Sequence, residues 1–545
     1  MLCCSAVILL VAIAFRVPRF TWAPCWRSVN NWADMRPLAS ACAAAGALLA
    51  AVVAIAAALC TPDFSHLPDA LRPHRPPIIR VLNGVGTALI RLGLLALPTE
   101  EAAIAAACRA AKLPDGAACL VDDPAEADDT RLEWRKGLRK LLSSYQADAN
   151  LTALGHLFAL RQLERWLKAR IRLIHAWDAL PPGTLSAERV ERPILIVGLP
   201  RTGTTFLFNL LMQDPALRAP LHWELFEPVP GVGEPPLGAQ HVAKIQARLE
   251  GFTQLLPGIE DVHPMEATMA EECIAAMAHE FSSMLFAAMF NVASYTEWLL
   301  AKPSPSHAHV FRWHRKLLQF LQLREHAETE AGAGAEEEAA GAAAGAAAGT
   351  GARATRRRRQ WVLKTPWYGH GPVLEAALAE YPDALVVHTH RAPAAVVGSL
   401  ASLLAKFYGA GSDVVDLHSI GAAKASKLER MAASVMATRA RWRAESPALA
   451  ARVADVELSE LKRDPLGVVE RIYAHFGMEL STKARSAMEA WLQRKRVRHR
   501  ARWPPLRARK LWPRGERGHR AARLEELLRG VRAARLRCRG LTLSV

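Results

Sequence analysis

The sequence is poor in cysteine and lacks the paired cysteines that hold many structural metals. Nine cysteines are spread over 545 residues, and no two of them form a Cys-x-x-Cys pair. This pattern excludes the common zinc spacings and a small disulfide-stapled fold, and we expect no metal site. Cys108 and Cys119 could form a disulfide in an oxidising compartment, and two free thiols are the alternative.

Most of the chain also lacks an excess of positive charge. The formal net charge is +17, but the segment from Arg494 to Arg539 has 18 basic and 3 acidic residues and accounts for +15 of it. Because the rest of the chain is nearly neutral, we expect no specific binding of nucleic acid. We interpret residues 494–545 as a basic tail, either a disordered extension or the product of a misassigned reading frame.

Charged side chains are missing from one long stretch near the N-terminus. Residues 38–60 carry no charge, and they exceed the roughly 20 residues that a helix needs to cross a bilayer. Arginines precede this stretch and aspartates follow it, so the positive-inside rule places the rest of the chain away from the cytosol. We predict an apolar targeting or membrane-anchor region over residues 1–60 and a lumenal, Golgi-like domain beyond it. A cytoplasmic protein with an alanine-rich segment is the alternative.

Composition divides the remaining chain into further segments. Residues 61–130 are rich in proline, alanine and aspartate and are typical of a linker with short helices, whereas apolar residues recur at helical spacing from Arg131 to Trp177. We expect one domain over residues 131–493, so a truncated chain starting near Glu126 should fold. The low-complexity residues 331–359 predict a flexible surface insertion in that domain.

Three apolar, β-branched runs in this domain are typical of buried strands. They cover residues 193–199, 361–366 and 384–391, and helical patterns separate them. This alternation predicts an α/β fold with a parallel central sheet flanked by helices. Ligands of such sheets bind at the carboxyl ends of the strands. All three runs end in polar residues, so we expect a binding site there.

The first run leads into a glycine turn that resembles a nucleotide triphosphate loop without its lysine. Gly198 and Gly203 have the spacing of that loop and Thr205 takes the place of its Ser/Thr, but Thr204 stands where the lysine belongs. A strand, a turn and a helix N-terminus still provide N–H groups for a phosphate. With Arg201 as the nearby cation, the turn fits a phosphate shorter than a triphosphate.

The third run predicts a second anion site. Arg391 ends the run, Pro393 suits the first turn of a following helix, and Ser399 comes eight residues after Arg391. A guanidinium can contact a phosphate with two N–H groups, and a serine hydroxyl can donate a third hydrogen bond. We therefore expect a ligand with two separated anionic groups. The alternative for Arg391 is a surface cap.

These residues resemble the sulfotransferase family, in particular its broad branch in bacteria and algae. The segment PILIVGLPRTGTTFLFNLL resembles the family's 5′-phosphosulfate loop, HTHRAPAAVVGSL its 3′-phosphate element, and VLKTP the strand whose lysine lies near the transferred sulfuryl group. The resemblance extends over Arg131 to Gln493. It implies a P-loop-like sulfotransferase fold and the donor 3′-phosphoadenosine 5′-phosphosulfate, held by Pro200, Arg201, Thr202, Gly203, Thr204, Thr205, Arg391 and Ser399.

Sulfuryl transfer requires cations for the leaving 5′-phosphate and a base for the acceptor proton. The resemblance assigns the cations to Arg201 and Lys364. Glu224 and His263 are the candidate bases, with His370 as a third. Glu224 follows the loop helix, where some sulfotransferases carry a carboxylate base, and His263 has a suitable unperturbed pKa of about 6.5. A structural ion pair is the alternative for Glu224, and a packing role is the alternative for His263.

The sequence leaves the acceptor open among carbohydrates, lipids, small metabolites and proteins. Two other functions stay possible at this point: a P-loop-type ATP-dependent kinase, and an inactive membrane-anchored scaffold with the same fold. The kinase needs a lysine at position 204 and a magnesium-binding acid after a strand, and neither is evident. The scaffold would be expected to lose Lys364, Arg391 or Ser399, and all three residues are present.

Overall fold

A computed structural model of the chain describes residues 64–498, except 92, 94–95, 125–131, 255, 261–262 and 344–357. The predicted N-terminal apolar region, residues 1–60, lies outside these residues, as does the basic tail from residue 499 onward. Among the helices that the structure describes, none combines the length and the apolar character that crossing a bilayer requires.

The described part of the chain contains five strands. They are β1 (Ile194–Gly198), β2 (Leu217–Arg218), β3 (Gln360–Lys364), β4 (Leu385–His390) and β5 (Val453–Glu457). All neighbours pair in parallel, and the strand order is β2-β3-β1-β4-β5. The three strands expected from the sequence are present in the expected α/β fold. The strands β2 and β5 are additional.

The α-helices of the described residues are numbered in chain order. They are α1 (Pro77–Arg91), α2 (Glu100–Ala111), α3 (Glu133–Ala147), α4 (Ala153–Asp178), α5 (Thr184–Ala187), α6 (Thr204–Leu211), α7 (His222–Phe226), α8 (Ala239–Gln254), α9 (Ile274–Ala278), α10 (Met284–Met289), α11 (Ala293–Ala301), α12 (Ala308–Ala343), α13 (Gly371–Glu380), α14 (Pro393–Gly411), α15 (Leu417–Glu445), α16 (Pro447–Ala451), α17 (Leu458–Arg463), α18 (Pro465–His475) and α19 (Thr482–Arg498).

The side chains of the central strand β1 are apolar on both faces of the sheet, because a hydrophobic core covers each face. Successive side chains of a strand point to opposite faces. Leu195 and Val197 accordingly pack in one large hydrophobic core, while Ile194 and Ile196 pack in a second core. Every residue of β1 is buried. A sheet with helices on both faces exposes its loops at the strand ends, where the candidate site lies.

The described residues form two compact units. The smaller unit contains residues 75–96 and 152–154, and within it the Asn83 side chain accepts a hydrogen bond from the Leu154 N–H at 3.1 Å. The larger unit contains residues 64–74, 97–151 and 155–498, with the sheet and both cores. All residues that line the candidate site belong to the larger unit.

The stretch predicted to be a linker needs correction, because part of it belongs to the core of the larger unit. Leu97 and the buried face of α2 pack in the large core. Cys108 and Cys119 form a disulfide, which decides between the two alternatives left by the sequence. The Asp122 carboxylate accepts a hydrogen bond from the Trp134 indole at 2.8 Å, and the Val121 carbonyl accepts one from Arg170 at 2.9 Å. The alanine- and aspartate-rich composition concealed these contacts.

The predicted insertion and the predicted tail both begin inside helices. Helix α12 continues to Ala343, so residues 331–343 are helical rather than a flexible loop, because alanine and glutamate are strong helix formers. Residues 344–357 lie outside the described part. Helix α19 continues to Arg498 and therefore includes the first residues assigned to the basic tail.

Candidate active site

The turn after β1 depends on two glycines in the left-handed region of backbone space. Gly198 has a φ of 149°, and a Cβ added there would lie 2.4 Å from the Thr389 hydroxyl oxygen. Gly203 has a φ of 95°, and its added Cβ would lie 2.6 Å from a Leu458 methyl carbon. Both positions therefore require glycine. The turn brings the chain from the end of β1 to the N-terminus of α6.

Arg201 lies within this turn and joins the two predicted anion sites. Its backbone is also left-handed, with a φ of 68°, and its carbonyl oxygen accepts a hydrogen bond from the Arg391 guanidinium at 2.9 Å. The Arg201 Nε donates to the Ser399 hydroxyl at 3.0 Å. The turn and the start of α14 therefore form one continuous cationic site. Non-glycine residues in this conformation are uncommon and are enriched at functional sites.

Electrostatics at Arg201 favour a bound anion. Burial lowers the pKa of Arg201, the charge of Arg391 lowers it further, and the Glu272 carboxylate opposes both effects. Burial also lowers the pKa of Arg391. Two partly desolvated guanidiniums are thus held close to each other, and a dianion between them would relieve their repulsion.

The threonines of the turn have different orientations. The Thr202 hydroxyl donates to the Leu199 carbonyl at 2.6 Å and lies 2.6 Å from the Thr389 hydroxyl, so its side chain faces the sheet. Its hydroxyl is thus engaged within the protein, and the predicted binding of the donor by Thr202, which stays a prediction, would use its backbone. Pro200, Gly203, Thr204 and Thr205 line the open cleft, together with Arg201, Arg391 and Ser399.

Lys364 ends β3 beside the first turn of α6. Its side chain is 1% exposed, and its ammonium group donates to the Thr205 hydroxyl at 2.8 Å. It also forms an ion pair with Glu272, a residue that we did not predict for the site. The Lys364 carbonyl accepts a hydrogen bond from the Cys273 N–H at 2.9 Å, which fixes Glu272 next to β3. The two successive glutamates before Cys273 were the available sequence signal.

The first of these glutamates pairs with a histidine. The Glu271 carboxylate lies 2.7 Å from His222 Nδ1, and its other oxygen accepts the Glu272 N–H at 2.7 Å. Burial raises the pKa of Glu271, but the bond to His222 and the histidine's charge bring it below its usual value. His222 itself stacks on Phe226 with ring centroids 3.9 Å apart. This pair holds the segment that carries Glu272.

Glu224 lines the same cleft, but both of its oxygens are already engaged. Oε1 accepts hydrogen bonds from Arg218 at 3.2 Å and from Arg324 at 3.0 Å. Oε2 accepts the Leu221 N–H at 2.9 Å. The carboxylate is buried and balances two guanidiniums, which is the geometry of a structural ion pair.

His263 also lines the cleft and has no hydrogen bond from its ring to any residue that the structure describes. The ring packs edge-on against Phe407 at 6.3 Å between centroids. Burial lowers its pKa, while the carboxylates of Glu272 and Glu271 oppose this effect. The imidazole is therefore neutral at pH 7 and able to accept a proton.

His370 does not share this position. It is buried, stacks on Trp367 with ring centroids 5.1 Å apart, and is not among the residues that line the cleft. Burial lowers its pKa to about 4, and the charges of Arg430 and Lys427 contribute to the shift. The structure thus removes it from the candidate bases.

The cleft lined by the turn, Glu224, His263 and Glu272 has a volume of about 1910 Å³, and the buried Lys364 is not among the residues that line it. Beyond the turn and α14, it is lined by basic residues from several elements, among them Arg494 and Lys495 on α19. The Lys495 ammonium lies 4.7 Å from the Trp491 ring, which packs against Phe206 at 5.5 Å. The beginning of the predicted basic tail therefore contributes to the cleft.

One group of side chains elsewhere in the described residues has the composition of a metal site. His388, His390 and Asp455 bring their ligand atoms within 4.8 Å of one another. However, Arg439 donates two hydrogen bonds to the Asp455 carboxylate, at 2.7 and 2.9 Å, and lies 2.9 Å from His388. A guanidinium thus occupies the position of a cation. The group joins β4 to β5.

The comparison with known proteins agrees with this architecture. A family model described as "Sulfotransferase family" matches residues 193–482, just over half of the chain. The chain belongs to the sulfotransferase family. No match was found among curated proteins.

Two solved sulfotransferase structures are similar to this sulfotransferase over most of their length. The sulfotransferase STF1 from Mycobacterium tuberculosis shares 29% sequence identity, with a TM-score of 0.54 over 72% of this chain and 93% of STF1. The sulfotransferase STF9 from Mycobacterium avium shares 21% identity, with a TM-score of 0.58 over 79% of this chain and 95% of STF9. The second comparison supports the fold only.

Proposed function

We propose that this sulfotransferase transfers a sulfuryl group from 3′-phosphoadenosine 5′-phosphosulfate to a hydroxyl, or an amine, of its acceptor. The observation that carries the proposal is the cluster of Arg201, Arg391 and Ser399 beside the Thr205–Lys364 pair. Two anion-binding groups at the ends of β1 and β4 suit a ligand with a phosphate on each side of a ribose. Neither group supplies the lysine of a triphosphate loop.

The donor is expected to place its 5′-phosphosulfate at the turn. Arg201 and the first N–H groups of α6 face this position, and free N–H groups at a helix N-terminus favour an anion. Arg391 and Ser399 would take the 3′-phosphate. Lys364 would exchange part of its contact with Glu272 for the bridging oxygen between phosphorus and sulfur.

In the reaction, the acceptor oxygen attacks sulfur as the bond from sulfur to the 5′-phosphate oxygen breaks. The leaving phosphate gains negative charge, and Lys364, Arg201 and the N–H groups of α6 stabilise that charge. The acceptor proton passes to a base, and the products are the sulfated acceptor and adenosine 3′,5′-bisphosphate. The protein thus contributes position, charge and a proton acceptor.

The geometry favours His263 over Glu224 as this base. The His263 ring has no hydrogen bond to a described residue and lines the cleft, and its pKa is lowered by burial and, to a smaller extent, by the charges of Lys364 and Arg201, which supports this assignment. The Glu224 carboxylate balances Arg218 and Arg324. Protonating Glu224 would remove a buried negative charge that both guanidiniums share, which is costly in this position.

We also propose that residues 1–60 anchor the protein in a membrane, with the catalytic domain in a Golgi-like lumen. The uncharged residues 38–60 and the arginines before them support this orientation. The disulfide between Cys108 and Cys119 is a second argument, because disulfides persist in oxidising compartments. Protease protection of the intact membrane-bound chain tests this topology, and digestion of the domain from the cytosolic side would contradict it.

Calorimetric titration with adenosine 3′,5′-bisphosphate tests the donor assignment. We expect saturable one-to-one binding without added metal and much weaker binding of ATP with Mg²⁺. A screen with radiolabelled donor then tests transfer to hydroxyl acceptors. Tighter binding of ATP·Mg²⁺ than of the bisphosphate would instead support phosphoryl transfer.

A further inference from the structure

Two lysines of α15 line the cleft at some distance from the turn. Lys424 and Lys427 are three residues apart and therefore share one face of the helix. Lys424 is 6% exposed, and its ammonium group lies 5.7 Å from the Tyr408 ring. The Lys427 ammonium group lies 3.2 Å from the Met284 sulfur.

Neither lysine forms an ion pair with a carboxylate in the part of the chain that the structure describes. The nearby Glu297 forms an ion pair with Arg430 at 2.6 Å instead. Burial and the charges of Lys424 and Arg430 lower the pKa of Lys427 to about 7, with Glu297 opposing them. Two ammonium groups in a partly desolvated wall repel each other, so Lys427 is only partly protonated near pH 7, and an anion bound between the two side chains would favour its charged form.

The contact of the lysine pair with the neighbouring helix α14 shows how far the pair lies from the predicted donor site. Ser399, which contacts Arg201, and Phe407 both line the cleft and are eight residues apart, a rise of about 12 Å along the helix. Tyr408, next to Phe407, lies beneath Lys424. The candidate base His263 packs against Phe407. The base and Lys424 therefore contact neighbouring residues of α14, at a level about 12 Å along the helix from Ser399 and thus away from the turn.

The wall between the base and the lysines is apolar. Leu404 and Phe407 of α14 and Met284 of α10 line this part of the cleft. Met284 is held in place because the Ser283 hydroxyl caps α10 at the Leu285 N–H and donates to the Ile274 carbonyl at 2.6 Å. An apolar wall that ends in two ammonium groups suits a ligand with an apolar body and an anionic end.

We propose that the acceptor is an apolar hydroxyl compound with an anionic group, carboxylate or sulfate, and that Lys424 and Lys427 bind that group. This inference rests on the proposed function, because it treats this end of the cleft as the acceptor side. The hydroxyl lies toward His263, the apolar body packs against Phe407 and Met284, and the anion reaches the lysines. Lysine recognises charge without a preferred planar geometry, so both anions fit.

Calorimetry on the wild-type protein saturated with adenosine 3′,5′-bisphosphate tests the proposal. The probes are a chain-length series of ω-hydroxy fatty acids, their methyl esters and the matching ω-hydroxyalkyl sulfates. We expect at least one anionic probe to bind about 10-fold or more tighter than the ester of the same length, the worth of a charge-assisted contact. Tighter binding of the carboxylate or of the sulfate probes than of the esters identifies the anion. If neither kind of anionic probe binds more tightly than the esters, the proposal is wrong.

Substitution of the two lysines then tests whether they cause the tighter binding of the anionic probes. The double variant Lys424→Met, Lys427→Met should lose the difference between anionic and neutral probes, while its affinity for the bisphosphate shows that it is folded. Lys483→Met, at an exposed position of α19, is the control and should keep the difference. A difference that persists in the double variant contradicts the proposal. If the bisphosphate itself does not bind the wild type, the proposed donor fails instead.

Discussion

Arg201 is held from two sides by residues almost two hundred positions later in the chain. Arg391 donates to its carbonyl, and Ser399 accepts from its guanidinium. These contacts stabilise a left-handed backbone that a non-glycine residue adopts only at a cost of about 1–3 kcal/mol. The same contacts leave two like charges close together, so the site is prepared for an anion before the ligand arrives.

Replacing Arg391 tests the assignment of the 3′-phosphate. We expect Arg391→Ala to weaken binding of adenosine 3′,5′-bisphosphate by about 10- to 150-fold, the loss of one charge-assisted contact. Binding of adenosine 5′-phosphate should change far less in the same titrations. Arg430→Ala, which removes an exposed arginine paired with Glu297, is the control. Equal losses for both nucleotides would mean that Arg391 acts only through the turn.

The two candidate bases should respond differently to isosteric substitution. We expect His263→Asn to lower turnover about 10²–10⁴-fold, the usual contribution of a general base, with little change in melting temperature. Glu224→Gln should instead lower the free energy of unfolding by about 1–3 kcal/mol, because Arg218 and Arg324 lose charge-assisted hydrogen bonds to a buried carboxylate while Arg218 keeps its ion pair with Glu325. Steady-state kinetics and thermal denaturation of both variants measure this. A stable but inactive Glu224→Gln variant would restore Glu224 as the base.

The pH dependence of the wild-type enzyme is a second measure of the base. Burial lowers the pKa of His263, so the ring gains its proton only below the ordinary histidine value of about 6.5. The value of kcat/KM should therefore stay constant upward from pH 7 and fall as the pH decreases through the lowered pKa. A decline that begins well above pH 7 would contradict this assignment.

The sequence predicted the residues of the turn better than it predicted their partners. The glycine spacing and the polar strand ends predicted that Arg201, Thr205, Lys364 and Arg391 lie near one another. In the structure, Lys364 contacts Thr205 and Arg391 contacts Arg201. The ion pair of Lys364 with Glu272 was missed because it depends on the path of a loop that no periodic pattern describes. The two partners of Glu224 were missed because Arg218 and Arg324 lie on separate elements, β2 and α12, and the sequence pattern does not show how these elements pack.

At the scale of elements, strand length and polarity decided which strands could be predicted. The strands β1, β3 and β4 have five or six residues, and each contains at least three consecutive apolar ones. Strand β2 has only two residues, and β5 is partly polar with the sequence VADVE, so neither shows a strand pattern. Residues 331–343 of α12 were predicted to belong to a flexible insertion because their low complexity was interpreted as disorder.

The glycine turn between β1 and α6 gives a prediction at this scale. We expect Gly198→Ala to lower both the melting temperature and the affinity for adenosine 3′,5′-bisphosphate, because the new Cβ would meet Thr389 and the backbone would be strained. Gly251→Ala is the matched control on the exposed face of α8, where nothing lies within 4 Å of an added Cβ. It should leave binding unchanged and stabilise the protein by about 0.5–1 kcal/mol. Unchanged binding and stability in Gly198→Ala would contradict the geometry of the turn.

At the scale of the whole molecule, the structure places the N-terminal limit of a stable truncated chain before Glu126, the start expected from the sequence. A truncated chain starting at Glu126 would lose Asp122 and Val121, and with them the contacts to Trp134 and Arg170. It would also remove α2, whose buried face belongs to the large core. We expect a chain starting at Phe64 to unfold cooperatively and to bind adenosine 3′,5′-bisphosphate, whereas the chain starting at Glu126 should be insoluble or melt far lower. Equal melting temperatures for the two would show that residues 64–125 do not contribute to stability.

The strand order has a consequence for the time course of folding. The turn itself is local in sequence, but β1 pairs on both sides with strands far later in the chain, β3 and β4. Parallel pairing over such separations requires closing long loops first, which makes folding slow. Arg391, Ser399 and Lys364 reach Arg201 and Thr205 only when those pairings are complete. The ability to bind nucleotide should therefore be one of the last properties the chain acquires as it leaves the ribosome, and a bound nucleotide would then slow the reverse process by stabilising only the finished sheet.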